Sequence, residues 1–325
     1  MNQLMVTLTD VAKRANVSKM TVSRVINHPE QVTDELKELV FKAMKELDYR
    51  PNVAAKALAN NRTQVIKFFI LEEMDTTEPY YMNLLTGIAK ELDKYHYTLQ
   101  LVTKNSFDIG ACDGYIITGM REEDYRWIEG AKKPVVLFGE NHHGYDFVDT
   151  DNKYGTTLAT QHAIQQGFTS IVFIGINVKE PFEYSREAGY INTMQQHGLV
   201  PVIHRFENRS RYSSEFIIEN WNQFKPGTAF ICSSDRLAIG IERSILTLGG
   251  KIPQEYGIIG NDGVFLDQIA SPPLTTVKQS VIEMGVDCAR MLLNKIEQQG
   301  APQGSHFFQP ELVIRESTVP IIKPE

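Results

Sequence analysis

The hydrophobic pattern changes character once along the chain. In residues 8–27, LTDVAKRANVSKMTVSRVIN, apolar positions recur at helical spacing, and a second such stretch, DELKELVFKAMKELD, occupies 34–48. From VIKFFI (65–70) onward, short apolar runs alternate with longer helical patterns. The runs are YTLQLV, GYIITG, PVVLFG, SIVFIG, AFICSS, YGIIGND and TTVKQ, and a helical stretch such as YMNLLTGIAKELDKY follows most of them. Runs that are apolar throughout, separated by helices, predict parallel strands buried on both faces. The fold class expected is therefore α/β, with an all-α head. Ligands in such folds bind at the carboxyl ends of the strands.

Within the head, Thr9 is placed to cap the first helix, with Asp10 favourable at its positive end. Val11, Ala12 and Ala15 supply the apolar face, and Asn16 suits the turn because Asn tolerates positive φ. Ser18 then caps a second helix that buries Val22, Val25 and Ile26. Lys19, Met20, Thr21, Ser23 and Arg24 are left on or near its exposed side. Such a helix fits the major groove of DNA. Lys19 and Arg24 can donate to guanine O6 and N7, and Met20 can touch a thymine methyl. Thr21, Ser23 and Asn27 fit phosphate contacts, which set register without reading sequence. Thr33 is expected to cap a third helix whose Leu36, Val40, Ala43, Met44 and Leu47 brace the other two. The competing reading of this head is a helical hairpin for protein contacts.

Charge supports a division of labour. The chain of 325 residues carries a net −7, yet residues 1–62 hold 10 Lys and Arg against 7 Asp and Glu, a balance of +3, which leaves −10 for the rest. A basic head can approach phosphate while an acidic body is repelled. Apolar content of 42% is ordinary, and the length suits two or three domains. No apolar run is long enough for a membrane span, and no signal-peptide pattern opens the chain, so a cytoplasmic location is expected. Cys112, Cys232 and Cys288 are far apart and show no metal-ligand spacing, so small buried hydrophobes are expected. No metal and no cofactor is implied. There is no P-loop, G-x-S-x-G or H-E-x-x-H motif, so an enzyme is not expected. His142-His143 reads as a solvated loop pair, and RSRYSS (209–214) as a solvated loop.

DVAKRANVS, TVSRVIN and YRPNVAAKAL, in this order and spacing, resemble the head of the LacI/GalR family. VDTDNKYGTTLATQHAIQQGFTSIVFIG, SREAGY, SSDRLAIG and IGNDGVFLDQIASPPLTTVKQS resemble its sensor, a two-lobed type I periplasmic-binding-protein-like body with parallel sheets. The resemblance spans nearly the whole chain. It implies a helix-turn-helix DNA-binding domain at 1–50, a hinge helix and linker at 51–63, and an effector-binding and dimerisation domain at 64–325. Lobe one is expected at about 64–157 plus 284–312, and lobe two at about 158–283 plus the tail.

The resemblance places Lys19, Met20 and Arg24 at base-reading positions and adds Thr9, Ser18, Asn52, Ala55 and Leu58 to the DNA-contacting set. Leu58 matches a leucine that wedges into a minor-groove step and kinks the duplex. Read without the family, the same leucine fits a plain linker equally well. In the body, Arg186 and Asp262 match the family's effector-clamping arginine and aspartate. Tyr80, Tyr81 and Tyr212 match aromatic positions. Ser234 replaces the family's usual Asn before Asp235, and Asp151 lies at a lobe crossover. Each also has a plainer role available: Asp262 as a loop cap, Asp235 as a helix cap, the tyrosines as lobe packing.

One departure from the family stands out. Only eleven residues separate YTLQLV from GYIITG, where the family carries a helix. A parallel crossover needs about a dozen residues or more, so a lost or shortened helix is expected there, with one sheet face of lobe one thinly covered and the dimer contact altered.

The function expected is a homodimeric, sequence-specific transcription regulator, a repressor of carbohydrate-use genes. It would read a pseudo-palindromic double-stranded operator and be switched by a sugar or sugar phosphate through an order–disorder change in the hinge. The alternatives are a protein or nucleobase corepressor, or a cytoplasmic sugar-binding protein.

Overall fold

A computed structural model of the chain describes residues 6–27, 29–49, 62–72, 79–103 and 110–318. Contacts divide the chain into two compact units, Met1–Thr63 and Gln64–Glu325. The segment carrying Asn52, Ala55 and Leu58 lies outside the described residues, so the hinge-helix expectation is not addressed by this fold.

The head packs α1 (Leu8–Ala15), α2 (Lys19–Asn27) and α3 (Asp34–Glu46) around Val11, Ala12, Ala15, Val22, Val25, Val40 and Ala43, all buried. Met44, Leu47 and Ile26 pack on this cluster from its edge. Asn16 is left-handed at φ 53° and ends α1. Ser18 Oγ accepts from the Thr21 amide at 3.0 Å and so caps α2. Two capping expectations are corrected. Helix α1 begins two residues earlier than expected, so its cap is Thr7 rather than Thr9. The Asp10 carboxylate accepts from the Thr7 amide (2.9 Å) and hydroxyl (2.7 Å), and Thr9 is an exposed helical residue. Thr33 does occupy the cap position of α3, but its side chain makes no capping hydrogen bond.

The body holds two six-stranded sheets. The first runs β11-β5-β4-β3-β1-β2 and is parallel throughout. It is built from β1 (Val65–Ile70), β2 (Thr98–Thr103), β3 (Gly114–Thr118), β4 (Val135–Phe138), β5 (Phe147–Thr150) and β11 (Ser305–Phe308). The second runs β12-β10-β9-β8-β6-β7, parallel except for β12. Its strands are β6 (Ser170–Ile176), β7 (Val202–Phe206), β8 (Thr228–Cys232), β9 (Tyr256–Asp262), β10 (Thr275–Lys278) and β12 (Glu311–Val313).

Alternate residues of β1 serve opposite faces, as the two-residue strand period requires. Ile66, Phe68 and Ile70 pack beneath α4 (Tyr80–Lys94) and α11 (Val281–Glu297), while Phe69 joins the other face with Tyr125 and Ile128 of α5 (Tyr125–Glu129). Helices α4 and α11 cross so closely at Gly87 that a Cβ there would lie 2.0 Å from the Ile282 carbonyl oxygen. The second sheet is covered on one side by α6 (Asn152–Gln165) and α7 (Pro181–Gln196). The other side carries α8 (Ser210–Asn220), α9 (Asp235–Thr247) and the short α10 (Leu266–Ile269).

The chain passes between the sheets three times, at somewhat different points from those expected. Helix α6 packs on α7 of the second lobe, and a Cβ on Gly189 would lie 2.3 Å from the Lys153 carbonyl, so the first crossing falls near 151 rather than 157. Helix α11 belongs to lobe one from Val281, and β12 pairs with β10 in lobe two, which moves the other crossings to near 280 and 310. The expectation of a lost helix between β2 and β3 rests mainly on 104–109, outside the described residues; Gly110–Asp113 are not helical. RSRYSS is not a loop: from Ser210 it is the first turn of α8. All three cysteines are buried and unpaired. Among the described residues no helix is long and apolar enough to cross a membrane, and no cluster of His, Cys, Asp or Glu fits a metal ion.

Candidate functional site

On the head, the surface of α2 carries the residues expected to face DNA. Lys19, Met20 and Arg24 are exposed, Met20 to 69%. Thr21 and Ser23 are half-buried, and the Thr21 hydroxyl lies 2.8 Å from that of Ser18. An exposed methionine of this size on a helix that otherwise buries its apolar residues is a site for apolar contact. The Asn27 side chain lies outside the described residues.

In the body, a cavity of about 640 Å³ opens between the two sheets. Its lining is supplied almost wholly by residues at or just past the carboxyl ends of parallel strands: Glu72 after β1, Thr118–Arg121 after β3, Phe138–Glu140 after β4 and Asp149 near the end of β5. Lobe two supplies Ile176–Val178 after β6, Glu207–Arg209 after β7, Ser233 and Ser234 after β8, and Asp262 at the end of β9. The starts of α4 (Tyr80, Tyr81) and α7 (Phe182, Arg186) complete it. This is where parallel α/β sheets direct their peptide dipoles and loops.

The inner end of the cavity is buried and polar. Arg186 donates through Nε to Asn152 Oδ1 (2.8 Å) and through a terminal nitrogen to the Ser233 carbonyl (2.7 Å), while its guanidinium lies 5.0 Å from the Phe182 ring centre. Asp149 accepts from the amides of Glu140 and Thr150, each at 2.7 Å. Burial nevertheless pushes its carboxyl up to about 6, against the opposing pull of those amides. Asp262 accepts from Gln279 Nε2 at 3.0 Å and from Asn261 at 3.2 Å. Its φ of 127° is a conformation that L residues rarely adopt, and strain of this kind persists only where surrounding structure holds it.

Gln279 is the hub of this end. Its amide oxygen accepts from the hydroxyls of Tyr80 (3.2 Å) and Thr150 (3.0 Å), so one side chain ties lobe one, a lobe crossing and the Asp262 strand end together. The outer end is more open. Glu72 accepts from the Tyr81 hydroxyl and from Arg121 (3.2 Å), and Arg121 also lies 3.8 Å from Glu180 across the cleft. A second bridge joins the lobes, from the Ser185 hydroxyl to Glu140 at 2.9 Å.

Of the body residues expected from the sequence, Tyr80, Tyr81, Arg186, Ser234 and Asp262 line the cavity, and Asp151, Tyr212 and Asp235 do not. Asp151 caps α6 by accepting from the Tyr154 amide. Tyr212 lies under Arg211, whose guanidinium is 4.8 Å from its ring. Asp235 is fully buried behind the site, where it accepts from Thr276 (2.7 Å) and the Gly263 amide (2.8 Å) and so holds the turn that carries Asp262. Burial first, and then the Asp262 charge, hold the Asp235 carboxyl well above its usual range. Ser234 donates to Asn208 at 2.6 Å and caps α9. His142 and His143 are both exposed, as expected for a loop pair, and His143 also stacks on Tyr125 with ring centres 3.6 Å apart.

The sequence reading missed Asp149, Glu72, Arg121, Glu140, Glu180 and Gln279. One signal could have found most of them: Glu72, Arg121, Glu140 and Gln279 each lie at, or within three residues of, the carboxyl end of a predicted strand. Asp149 and Glu180 carry no such mark, since β5 is not among the predicted strands and Glu180 lies five residues past SIVFIG.

Residues 7–52 match the family described as bacterial regulatory proteins, lacI family, and residues 160–318 match the periplasmic binding protein-like domain. The HTH-type transcriptional regulator YvdE of Bacillus subtilis (strain 168) is 57% identical over 316 residues, covering 97% of this chain and 100% of the relative. The HTH-type transcriptional repressor PurR of Actinobacillus pleuropneumoniae (serotype 3, strain JL03) is 30% identical, covering 96% of this chain and 98% of its own. Among solved structures, the transcriptional regulator CelR in complex with cellobiose aligns with a TM-score of 0.71 at 25% identity over 96% of this chain and 99% of its own. A lac repressor dimer bound to operator and the anti-inducer ONPF shares the fold, with a TM-score of 0.72 at 23% identity, 97% of this chain and 99% of its own. The chain belongs to the LacI family of DNA-binding bacterial transcription regulators.

Proposed function

We propose that the protein is a cytoplasmic, homodimeric repressor of carbohydrate-use genes. Two heads read the halves of a pseudo-palindromic operator, and a sugar in the interlobe cavity sets operator affinity. The observation that carries this reading is the inner end of the cavity. A buried arginine, two buried carboxylates and a tyrosine converge from both lobes on a space large enough for a small molecule, in a chain that also bears a helix-turn-helix head. Planar guanidinium donors and carboxylate acceptors match the vicinal hydroxyls of a sugar. The relatives support it as well, since CelR is described with cellobiose and PurR as a repressor.

Within the reading, Lys19 and Arg24 contact base edges, Met20 makes apolar contact with a base, and Thr21 and Ser23 position the helix on phosphates. Arg186, Asp262 and Tyr80 hold the effector. A ligand that touches both lobes favours the closed arrangement of the body, and only that difference in affinity between states can shift operator binding. Fluorescence anisotropy of a labelled duplex from upstream of the protein's own gene, with and without a panel of mono- and oligosaccharides, tests it. The expected result is tight, strongly salt-dependent binding that one sugar raises or lowers. Binding to no duplex, including those from a random-sequence selection, overturns the DNA-reading role.

A further inference from the structure

The cavity is larger than one sugar needs. A hexose packed at the density of an organic crystal fills ~200 Å³, so about 640 Å³ holds two to three such units. The walls are also graded in depth. At the inner end Asp149, Arg186 and Asp262 are less than a tenth exposed. At the outer end the side chains of Arg121 and Glu72 are 29% and 36% exposed.

The two consecutive tyrosines that open α4 span this gradient. The Tyr80 hydroxyl bonds the inner hub Gln279, the Tyr81 hydroxyl bonds the outer Glu72, and the two rings meet edge-on with centres 5.6 Å apart. Two aromatic faces at successive depths fit two successive sugar rings. The outer polar groups are bonded to one another, Arg121 to Glu72 and Glu180, so each has a partner that a ligand hydroxyl can replace without leaving a buried charge unpaired.

Charge narrows the ligand further. Six carboxylates and four arginines line the cavity. At the inner end the one arginine, Arg186, is flanked by Asp149, and its guanidinium is already bonded to Asn152 and to a carbonyl. A phosphate there would face like charge in a desolvated site.

Resting on the reading that the effector is a sugar, we infer that it is a neutral oligosaccharide of two or three units. One ring sits at the Arg186–Asp262 end and the next reaches a second subsite formed by Arg121, Glu72, Tyr81 and Glu180. A monosaccharide fills only the inner end, and a phosphorylated sugar is rejected there.

Isothermal titration of the full-length protein tests this with glucose, galactose and xylose, their linked oligomers of two to five units, and their phosphate monoesters. Affinity is expected to rise at least tenfold from one unit to two or three within one sugar series and then to level off, with each phosphate ester weaker than its neutral parent. In Arg121→Ala the preference for the longer ligand over the monosaccharide should fall about tenfold, whereas Asp262→Asn should weaken every length alike. Arg121→Lys, which keeps the charge, should recover part of the preference. A monosaccharide or phosphate ester as the tightest ligand overturns the inference and leaves the sugar reading standing. Binding of no member of the panel overturns both. An unaltered length preference in Arg121→Ala overturns the placement of the second subsite.

Discussion

The carboxylates of the head and those of the cleft are perturbed in opposite directions. On the head, Asp10 is held below its ordinary range by the hydrogen bonds it accepts from Thr7, and Asp34 by Lys37; both stand in water. In and behind the cleft, Asp149 and Asp235 are pushed up, first of all by burial. Glu183 and Glu242 of lobe two are also raised, Glu242 reaching about 7. The difference is one of solvent. A carboxylate in water gains by accepting one more donor, whereas a buried one loses more hydration than its donors return. A surface that must meet polyanionic DNA keeps its charges hydrated and mobile. In the proposed reading, Asp149 at the inner end of the cleft has already lost its hydration and accepts from a ligand hydroxyl without further desolvation.

The largest expected effect lies in the cleft. Arg186→Ala removes the guanidinium proposed to donate to the effector and the attraction it exerts on Asp149. Losing a charge-assisted hydrogen bond to the ligand costs ~3 kcal/mol, so effector affinity should fall about 100-fold by calorimetry while the head still binds duplex. Equal loss of both activities would erase the separation between the two regions.

Arg24→Ala is the reverse test. It should weaken operator binding about 10-fold or more and make the salt dependence shallower by about one ion, as read by anisotropy at several salt concentrations. Effector affinity should be unchanged.

The pH dependence sharpens the contrast further. Glu242 has an oxygen without a hydrogen-bond partner among the described residues, and its folded pKa of about 7 lies above the ordinary 4.5. The folded state therefore binds the extra proton between these values, and stability falls as pH rises from about 4.5 to 7. Glu242→Gln should raise the melting temperature at pH 8, with little change at pH 4.5, and equal shifts at both would refute the burial argument.

The smallest effect is expected for Asp10→Ala. A depressed carboxylate stabilises the folded state above its unfolded pKa and loses that contribution as pH falls through the folded value. The variant should melt slightly lower than wild type at pH 7, and the difference should vanish in strong acid.

The head was almost wholly legible because helices are local: capping, the left-handed Asn16 and the buried stripe Val11, Val22, Val25 and Val40 all follow from spacing of three or four residues. The misplaced cap shows the limit of that logic. Thr7 and Thr9 both precede the apolar run, and only the reciprocal bond with Asp10, three residues past Thr7, selects between them.

In the body, alternation gave β1 to β4, β6, β8 to β10 and the α/β class, but not β5, β7, β11 or β12, whose edge positions or short lengths leave no long apolar run; the resemblance marked Arg186 and Asp262. Tyr212 and Asp235 carried equally good marks and do not reach the cavity. One lies against its neighbouring arginine on α8, and the other is turned inward to hold Gly263.

The sequence alone thus determined the α/β class with its helical head, most of the central strands, the charge division between head and body, and the family, because these depend on residues close together in the chain or on whole motifs. The tertiary structure decided the site. Asp149, Arg186 and Gln279 are brought together by sheet order and by three lobe crossings, and whether a polar side chain at a strand end faces the cavity or the core depends on which neighbouring element buries its other side.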